Sequence, residues 1–145
     1  MKKILFTSLI ALTSISAFAT GGFYCAVETN KLVLEISATT PRGFGAELLE
    51  PTAVKLVQKN SQLPAELKSV DFSLKEIPQY WNTGDDLKIL AYKENFDLNY
   101  FNVTTVLLET KYDKKSGSYK GKYIVNTVVN DKKYETVGSI TCDQE

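Results

Sequence analysis

The chain contains no histidine, only two cysteines and a single tryptophan among its 145 residues. Without an imidazole there is no Ser-His-Asp or Cys-His catalytic group, no histidine ligand for zinc and no histidine that titrates near neutral pH. The 17 basic and 17 acidic side chains cancel, so the chain lacks the positive excess typical of nucleic-acid binding. We therefore predict no catalytic residues, no metal, no cofactor and no nucleic-acid partner.

Residues 1–19 have the pattern of a cleaved secretory signal peptide. Two lysines at positions 2 and 3 precede an apolar run that ends at Leu12, and the small-x-small sequence of residues 17–19 predicts cleavage before Thr20. The apolar run is shorter than the roughly 20 residues that span a bilayer, and no cysteine follows the cleavage point for lipidation. The leader is of a bacterial type. It predicts a periplasmic or extracellular protein that is not integral to the membrane.

Residues 20–145 are expected to form a single β domain. Removing the leader takes away two lysines and no acidic residue, which leaves 15 basic and 17 acidic side chains. A chain of this length buries roughly two thirds of its unfolded surface, enough for one core. No internal repeat, low-complexity tract or linker divides it.

Cys25 and Cys142 lie near the two ends of this domain. An even cysteine count in an oxidising compartment predicts one disulfide, the alternative being two separate buried thiols. Because a disulfide requires Cα atoms about 5.5 Å apart, the bridge makes the first and last elements neighbours.

Apolar and polar residues alternate with period two through most of the domain, which predicts strands. Short turns rich in Asn, Asp and Gly separate these strands, so neighbouring strands are expected to be antiparallel. The expected strands are 24–29, 32–36, 54–58, 70–74, 87–93, 98–112, 119–129 and 134–142.

Three segments are less regular. Residues 44–58 and 64–68 have features of both strand and helix, because Pro51 and Pro64 interrupt helix-forming residues. Residues 78–86 are expected to form a loop. About seven to nine strands with linked ends predict an all-β antiparallel meander closed or nearly closed into a small barrel, with a two-sheet sandwich as the alternative.

The segment 78–86 holds the only tryptophan and is the candidate binding loop. An aromatic ring beside carboxylates and amides suits a glycan or a peptide, since the ring stacks while the polar groups form hydrogen bonds. The alternative is that the ring plugs one end of the barrel while the rest of the segment turns the chain. The candidate residues are Tyr80, Trp81, Asn82, Asp85 and Asp86.

Four tyrosines of the last strands form a second candidate site, a pocket for a small apolar ligand. Small barrels can hold one such molecule in their mouths. The alternative is cross-strand packing of the rings. The four are Tyr112, Tyr119, Tyr123 and Tyr134.

Lysines gather around the turn at residues 113–117, from Lys111 to Lys122. A lysine-rich edge can attract an acidic partner, but lysines also protect exposed edges from aggregation. Acidic residues such as Glu109 and Asp113 interleave with them, so the predicted local charge is mixed.

No family motif identifies the chain. In signal peptide, length and terminal disulfide it is similar to small periplasmic barrels that bind or inhibit other proteins, and to lipocalin-sized carriers, although the first strand lacks a Gly-x-Trp motif. The first functional hypothesis is a non-enzymatic binding protein with a macromolecular partner, as an inhibitor or adaptor. The second is a carrier of a small apolar ligand. The third is a hydrolase that uses paired carboxylates, such as Glu47 with Glu50 or Asp85 with Asp86.

Overall fold

The computed structural model of the protein describes residues 21–40 and 50–144, which form nine strands and two single-turn 3₁₀ helices. The predicted signal peptide, Glu47 and the ambiguous residues 44–49 lie outside the described residues. The strands are β1 (Gly21–Glu28), β2 (Leu32–Thr40), β3 (Glu50–Gln58), β4 (Ser69–Phe72), β5 (Gln79–Thr83), β6 (Asp86–Lys93), β7 (Asn102–Asp113), β8 (Ser118–Val129) and β9 (Lys132–Gln144). The first 3₁₀ helix is Ala65–Leu67 and the second is Leu74–Glu76.

All nine strands belong to one antiparallel sheet with the order β4-β3-β2-β1-β9-β8-β7-β6-β5. Strands β1–β4 form one meander and β5–β9 a second, and the two meet where β1 pairs with β9. The sheet curls strongly into a half-barrel whose edges are β4 and β5. The predicted all-β meander with adjacent terminal strands is therefore confirmed, as one curled sheet rather than a two-sheet sandwich.

The predicted disulfide is also confirmed. Cys25 in β1 lies opposite Cys142 in β9 and is bonded to it across 117 residues of chain. The bond joins the two meanders at the pairing of the terminal strands. A disulfide of this kind is compatible with an oxidising periplasmic or extracellular location.

The concave face of the sheet is filled by apolar side chains from both meanders. Alternate residues of β2, β3, β6, β7 and β8 point to this face, as the period-two pattern predicts. Complete burial of each large aliphatic side chain contributes roughly 1.5–3 kcal/mol to the free energy of unfolding. The largest fully buried side chains are Tyr123, Leu32, Leu34, Ile36, Leu56, Leu87, Ile89, Leu108, Val54, Val106 and Val125.

A buried hydrogen-bond bridge crosses the concave face between the meanders. Gln58 at the end of β3 donates from Nε2 to the carbonyl of Leu67 at 3.0 Å and to Oγ1 of Thr127 in β8 at 2.9 Å. Both Gln58 and Thr127 are buried. The side-chain amide satisfies a buried carbonyl and fixes β3 opposite β8 across the half-barrel.

Lys93 of β6 connects the two edges of the sheet at one end of the gap between them. Its ammonium donates to the carbonyl of Asp71 in β4 at 2.8 Å and pairs with the Glu76 carboxylate at 3.2 Å. Partial burial raises the pKa of Glu76, but hydrogen bonds from the Ser73 amide and hydroxyl and from Lys93 outweigh it, so the net pKa lies below its ordinary value. The gap between β4 and β6 is thus narrow at this end.

Three sequence predictions differ from the structure in detail. Residues 79–83 form strand β5 instead of a loop, residues 98–101 lie outside β7, and Leu74 begins the second 3₁₀ helix instead of ending a strand. Of the two ambiguous segments, residues 50–58 are a strand and residues 65–67 a single 3₁₀ turn. The edge position of β5 explains the first difference, because a strand at a rim need not alternate buried and exposed residues.

Candidate functional site

Strand β5 is an edge strand that ends in a two-residue hairpin turn. Thr83 lies opposite Asp86 across Gly84 and Asp85, and Gly84 has φ 59°. A glycine with positive φ at the first turn position suits the tight connections that match the twist of paired strands. This turn places the predicted binding segment in a defined β-hairpin at the rim of the half-barrel.

The two exposed aromatic residues of β5 lie on opposite faces of the sheet. Trp81 lies opposite Lys88 on the convex face, with 37% of its surface exposed and the Lys88 ammonium 5.6 Å from its ring centroid. Tyr80 lies opposite the buried Ile89 on the concave face, and 45% of its surface is exposed. A cation over an indole face is favourable, so Lys88 helps to fix the ring.

Asn82 is on the same face as Tyr80 but is buried. Its Oδ1 accepts a hydrogen bond from the hydroxyl of Tyr119 in β8 at 3.4 Å. Burial raises the pKa of Tyr119, and the hydrogen bond to Asn82 only partly opposes this. Asn82 therefore holds β5 to the core.

Asp85 and Asp86 do not converge with Asn82. The Asp85 carbonyl accepts the Tyr112 amide at 2.7 Å, which closes the turn against β7. Asp86 begins β6 on the convex face, with its Oδ1 3.9 Å from the Lys111 ammonium. The five predicted residues thus lie on one hairpin but are divided between two faces of the sheet.

A largely apolar recess of about 380 Å³ lies beside Tyr80, between β5, the start of β3 and the second 3₁₀ helix. Leu74 and Ile77 approach it from the second 3₁₀ helix and the residue after it. Pro51 approaches it from β3, and Glu50 and Thr52 complete its lining. Leu74 is largely exposed. Apolar side chains that leave space between them can accept another apolar group.

The four tyrosines of the second candidate site lie in different surroundings. Tyr119 and Tyr123 are buried in the core, and Tyr112 packs on Tyr119 with ring centroids 5.2 Å apart. The ring of Tyr123 covers Gly138, where an added Cβ would overlap it. Tyr134 is partly exposed beneath the Lys132 ammonium, 5.0 Å from its ring centroid. Tyr112, Tyr119 and Tyr123 are thus packed against other rings or the core, while Tyr134 lines an open recess of about 440 Å³ with Lys31 and Gln58.

The convex face next to Trp81 carries four lysines, which we name the lysine face: Lys88, Lys111, Lys120 and Lys122. Lys122 pairs with Glu109 at 3.1 Å, and Lys120 with Asp113 at 2.7 Å. The Lys120 hydrogen bond, with others from Lys115 and Ser116, lowers the pKa of Asp113 to about 2. Lys88 has no carboxylate within 4 Å among the residues in the described ranges, so its charge is available beside the indole.

A second exposed aromatic surface was not predicted from the sequence. In the loop at residues 94–101, Phe96 is 84% exposed and Phe101 is 53% exposed. Phe101 falls within the strand predicted to begin at Leu98, whereas Phe96 lies between two predicted strands. The signal that identifies a loop is the pair of asparagines that bracket it, Asn95 and Asn102.

Buried Asn102 holds this loop in one conformation. Its Nδ2 donates to the carbonyls of Asn95 at 2.9 Å and Tyr100 at 3.0 Å, and its Oδ1 accepts the Asn95 amide at 3.0 Å. The Phe101 carbonyl of this loop also accepts a hydrogen bond from the Asn130 amide. Phe96 and Phe101 are therefore exposed on an ordered loop.

Asn102→Ala is expected to lower the free energy of unfolding by about 2 kcal/mol, because it leaves two partly buried carbonyls without their donor. Denaturant unfolding measures this loss, and hydrogen exchange of residues 95–101 should accelerate at least tenfold. Asn99→Ala is the matched control, since Asn99 is an exposed residue of the same loop. Equal effects of the two substitutions would contradict the role given to Asn102.

Within residues 21–40 and 50–144, no three acidic or cysteine side chains are grouped as a metal site would require. None of the helices described is long and apolar enough to cross a membrane. The chain shows no significant match to a protein-family model, a curated protein or a solved structure.

Proposed function

We propose that the chain is a secreted, non-enzymatic binding protein that engages a macromolecular partner through strand β5 and the adjacent convex face. The observation that carries this proposal is the exposure of Tyr80 and Trp81 on one edge strand, beside the available charge of Lys88. Tryptophan and tyrosine are among the side chains that most often dominate binding energy at protein interfaces.

Secretion rests on the predicted signal peptide together with the disulfide. The cleavage site before Thr20 would release residues 20–145 into the periplasm or the medium. The bond between Cys25 and Cys142 would persist in such an oxidising compartment.

The dense packing of the concave face favours a macromolecular partner over a small apolar cargo. Tyr119 and Tyr123 are surrounded by core side chains, and Gln58 bridges β3 to β8 across the interior. A carrier would use the recess beside Tyr80, which is open at the rim. A carboxylate hydrolase receives less support, because Asp86 faces Lys111 on the convex surface while Asp85 lies in the turn.

Trp81→Ala is expected to weaken partner binding at least tenfold without unfolding the domain, because it removes an exposed interface ring. The measurement is native mass spectrometry of protein taken gently from its own compartment, compared with its denatured mass. The expected result is an excess mass equal to a second macromolecule, which the variant loses.

Tyr24→Ala is the matched control. Tyr24 is exposed to a similar extent, at 44%, but lies on β1, four strands away from β6 in the sheet order. Retention of the partner by Tyr24→Ala and loss by Trp81→Ala would support the proposal. Retention by both variants, or an excess of only a few hundred daltons, would contradict it.

A further inference from the structure

The outer edge of β5 has backbone groups that no other described strand pairs with. In the antiparallel β5–β6 ladder, Thr83 and Asp86 flank the tight turn and exchange both hydrogen bonds, and this pattern repeats at Trp81 and Lys88. The N–H and C=O of Tyr80 therefore point away from β6, toward the gap. This edge can accept another strand.

The two faces of this edge differ in chemistry. On the concave side, the recess lined by Leu74, Ile77 and Pro51 lies next to Tyr80. On the convex side, the Trp81 ring and the Lys88 ammonium lie together. Because side chains of a strand alternate between faces, an added strand would present every second residue to the apolar recess and the others to the cation.

We infer that β5 binds an extended peptide segment of its partner as a further antiparallel strand, with apolar side chains toward the recess and acidic side chains toward Lys88. This inference rests on the proposed function and names its mode of recognition. Main-chain hydrogen bonds supply affinity for any extended peptide. The recess on one face and Lys88 on the other make binding specific for peptides in which apolar and acidic residues alternate.

The charge of the site distinguishes a foreign acidic peptide from a second copy of this chain. β5 has the sequence Gln-Tyr-Trp-Asn-Thr and contains no charged residue. Pairing of β5 with its own copy would bring no carboxylate from that strand to Lys88. An acidic segment complements Lys88, which in the described ranges is the one ammonium of the lysine face with no carboxylate within 4 Å. The other three lysines of this face are each paired with a carboxylate.

The test uses a blocked nine-residue peptide in which leucine and valine alternate with glutamate. Trp81 is the only tryptophan of the chain, so its emission reports on this site directly. Titration is expected to give a saturable change in emission, and hydrogen exchange at the Tyr80 amide should slow at least tenfold. Lys88→Glu should weaken binding about tenfold, whereas Lys31→Glu, at the distant β1–β2 turn, should have no effect.

Two N-methylated forms of the peptide test the strand geometry. In an antiparallel pair, the apolar residue opposite Tyr80 exchanges both hydrogen bonds with it, while the N–H groups of the glutamates point outward. N-methylation of the apolar residues should weaken binding at least tenfold, and N-methylation of the glutamates should be tolerated. Equal affinity of the two forms, or an unprotected Tyr80 amide, would overturn strand addition.

Failure of this inference is distinguishable from failure of the proposed function. If the natural partner is lost with Trp81→Ala but no peptide changes the emission of Trp81, strand addition is wrong and the binding function stands. If Tyr80 becomes protected without peptide as the protein forms dimers, measured by sedimentation, the occupant is a second copy and the acidic peptide is wrong.

Discussion

Gly121→Ala adds a single methyl group but is expected to lower the free energy of unfolding by about 3 kcal/mol or more. Gly121 of β8 lies opposite Thr110 of β7, and a Cβ at this position would overlap the backbone carbonyl of Glu109 and the Cα of Thr110. A side chain could rotate away from such an overlap, but a backbone in the middle of a ladder cannot. The β7–β8 pairing would therefore have to separate locally.

Denaturant unfolding of the variant, followed by far-UV circular dichroism, measures this effect. Gly84→Ala is the matched control, since a Cβ at Gly84 would meet no atom within 4 Å. Its φ of 59° makes alanine strained, so the control should cost only about 1 kcal/mol. A Gly121→Ala variant as stable as the Gly84→Ala variant would show that β7 and β8 can separate at little cost.

The long strands could be predicted from the sequence because one of their faces is buried. In β7 and β8, alternate residues enter a filled concave face, so apolar and polar residues alternate over most of each strand. Turn residues mark the ends of these strands, as Asn130 and Asp131 do with φ values of 45° and 66°. The disulfide could be predicted from the number of cysteines and the compartment that the predicted signal peptide implies.

The candidate site was harder to predict because it lies where alternation fails. β5 exposes Tyr80 on one face and Trp81 on the other, so its sequence contains no buried stripe and resembles a loop. Conversely, Phe101 is apolar but exposed, and with its apolar and aromatic neighbours it resembles the start of a strand. Both errors come from aromatic residues at the surface, where burial no longer determines composition.

The prediction of a loop also hid the fact that the five candidate residues lie on two faces of the sheet. A loop can bring Asn82, Asp85 and Trp81 together, whereas a strand separates neighbours by pointing them to opposite faces. Once residues 79–83 are a strand, Asn82 must face the core and Trp81 the solvent. The proposed recognition of an alternating peptide depends on this separation.

Reduction of the disulfide is expected to lower the melting temperature by roughly 10–20 °C while the sheet persists at low temperature. The β1–β9 ladder contains only three residue pairs, Phe23 with Gln144, Tyr24 with Asp143 and Cys25 with Cys142. It is the only strand pairing between the two meanders in the described chain. Closing 117 residues of chain stabilises the folded state by about 4–5 kcal/mol at most in the chain-entropy model.

Thermal unfolding with and without reductant measures this contribution, with far-UV circular dichroism before heating as the check on the sheet. Hydrogen exchange should accelerate most in β1–β4, because without the bond they are held to the longer meander by the short β1–β9 ladder, by Gln58 and Lys93, and by apolar packing across the concave face. The variant with Cys25→Ala and Cys142→Ala should melt at the temperature of the reduced protein and not respond to reductant. An unchanged midpoint on reduction would mean that packing across the concave face, and not the covalent bond, holds the two meanders together.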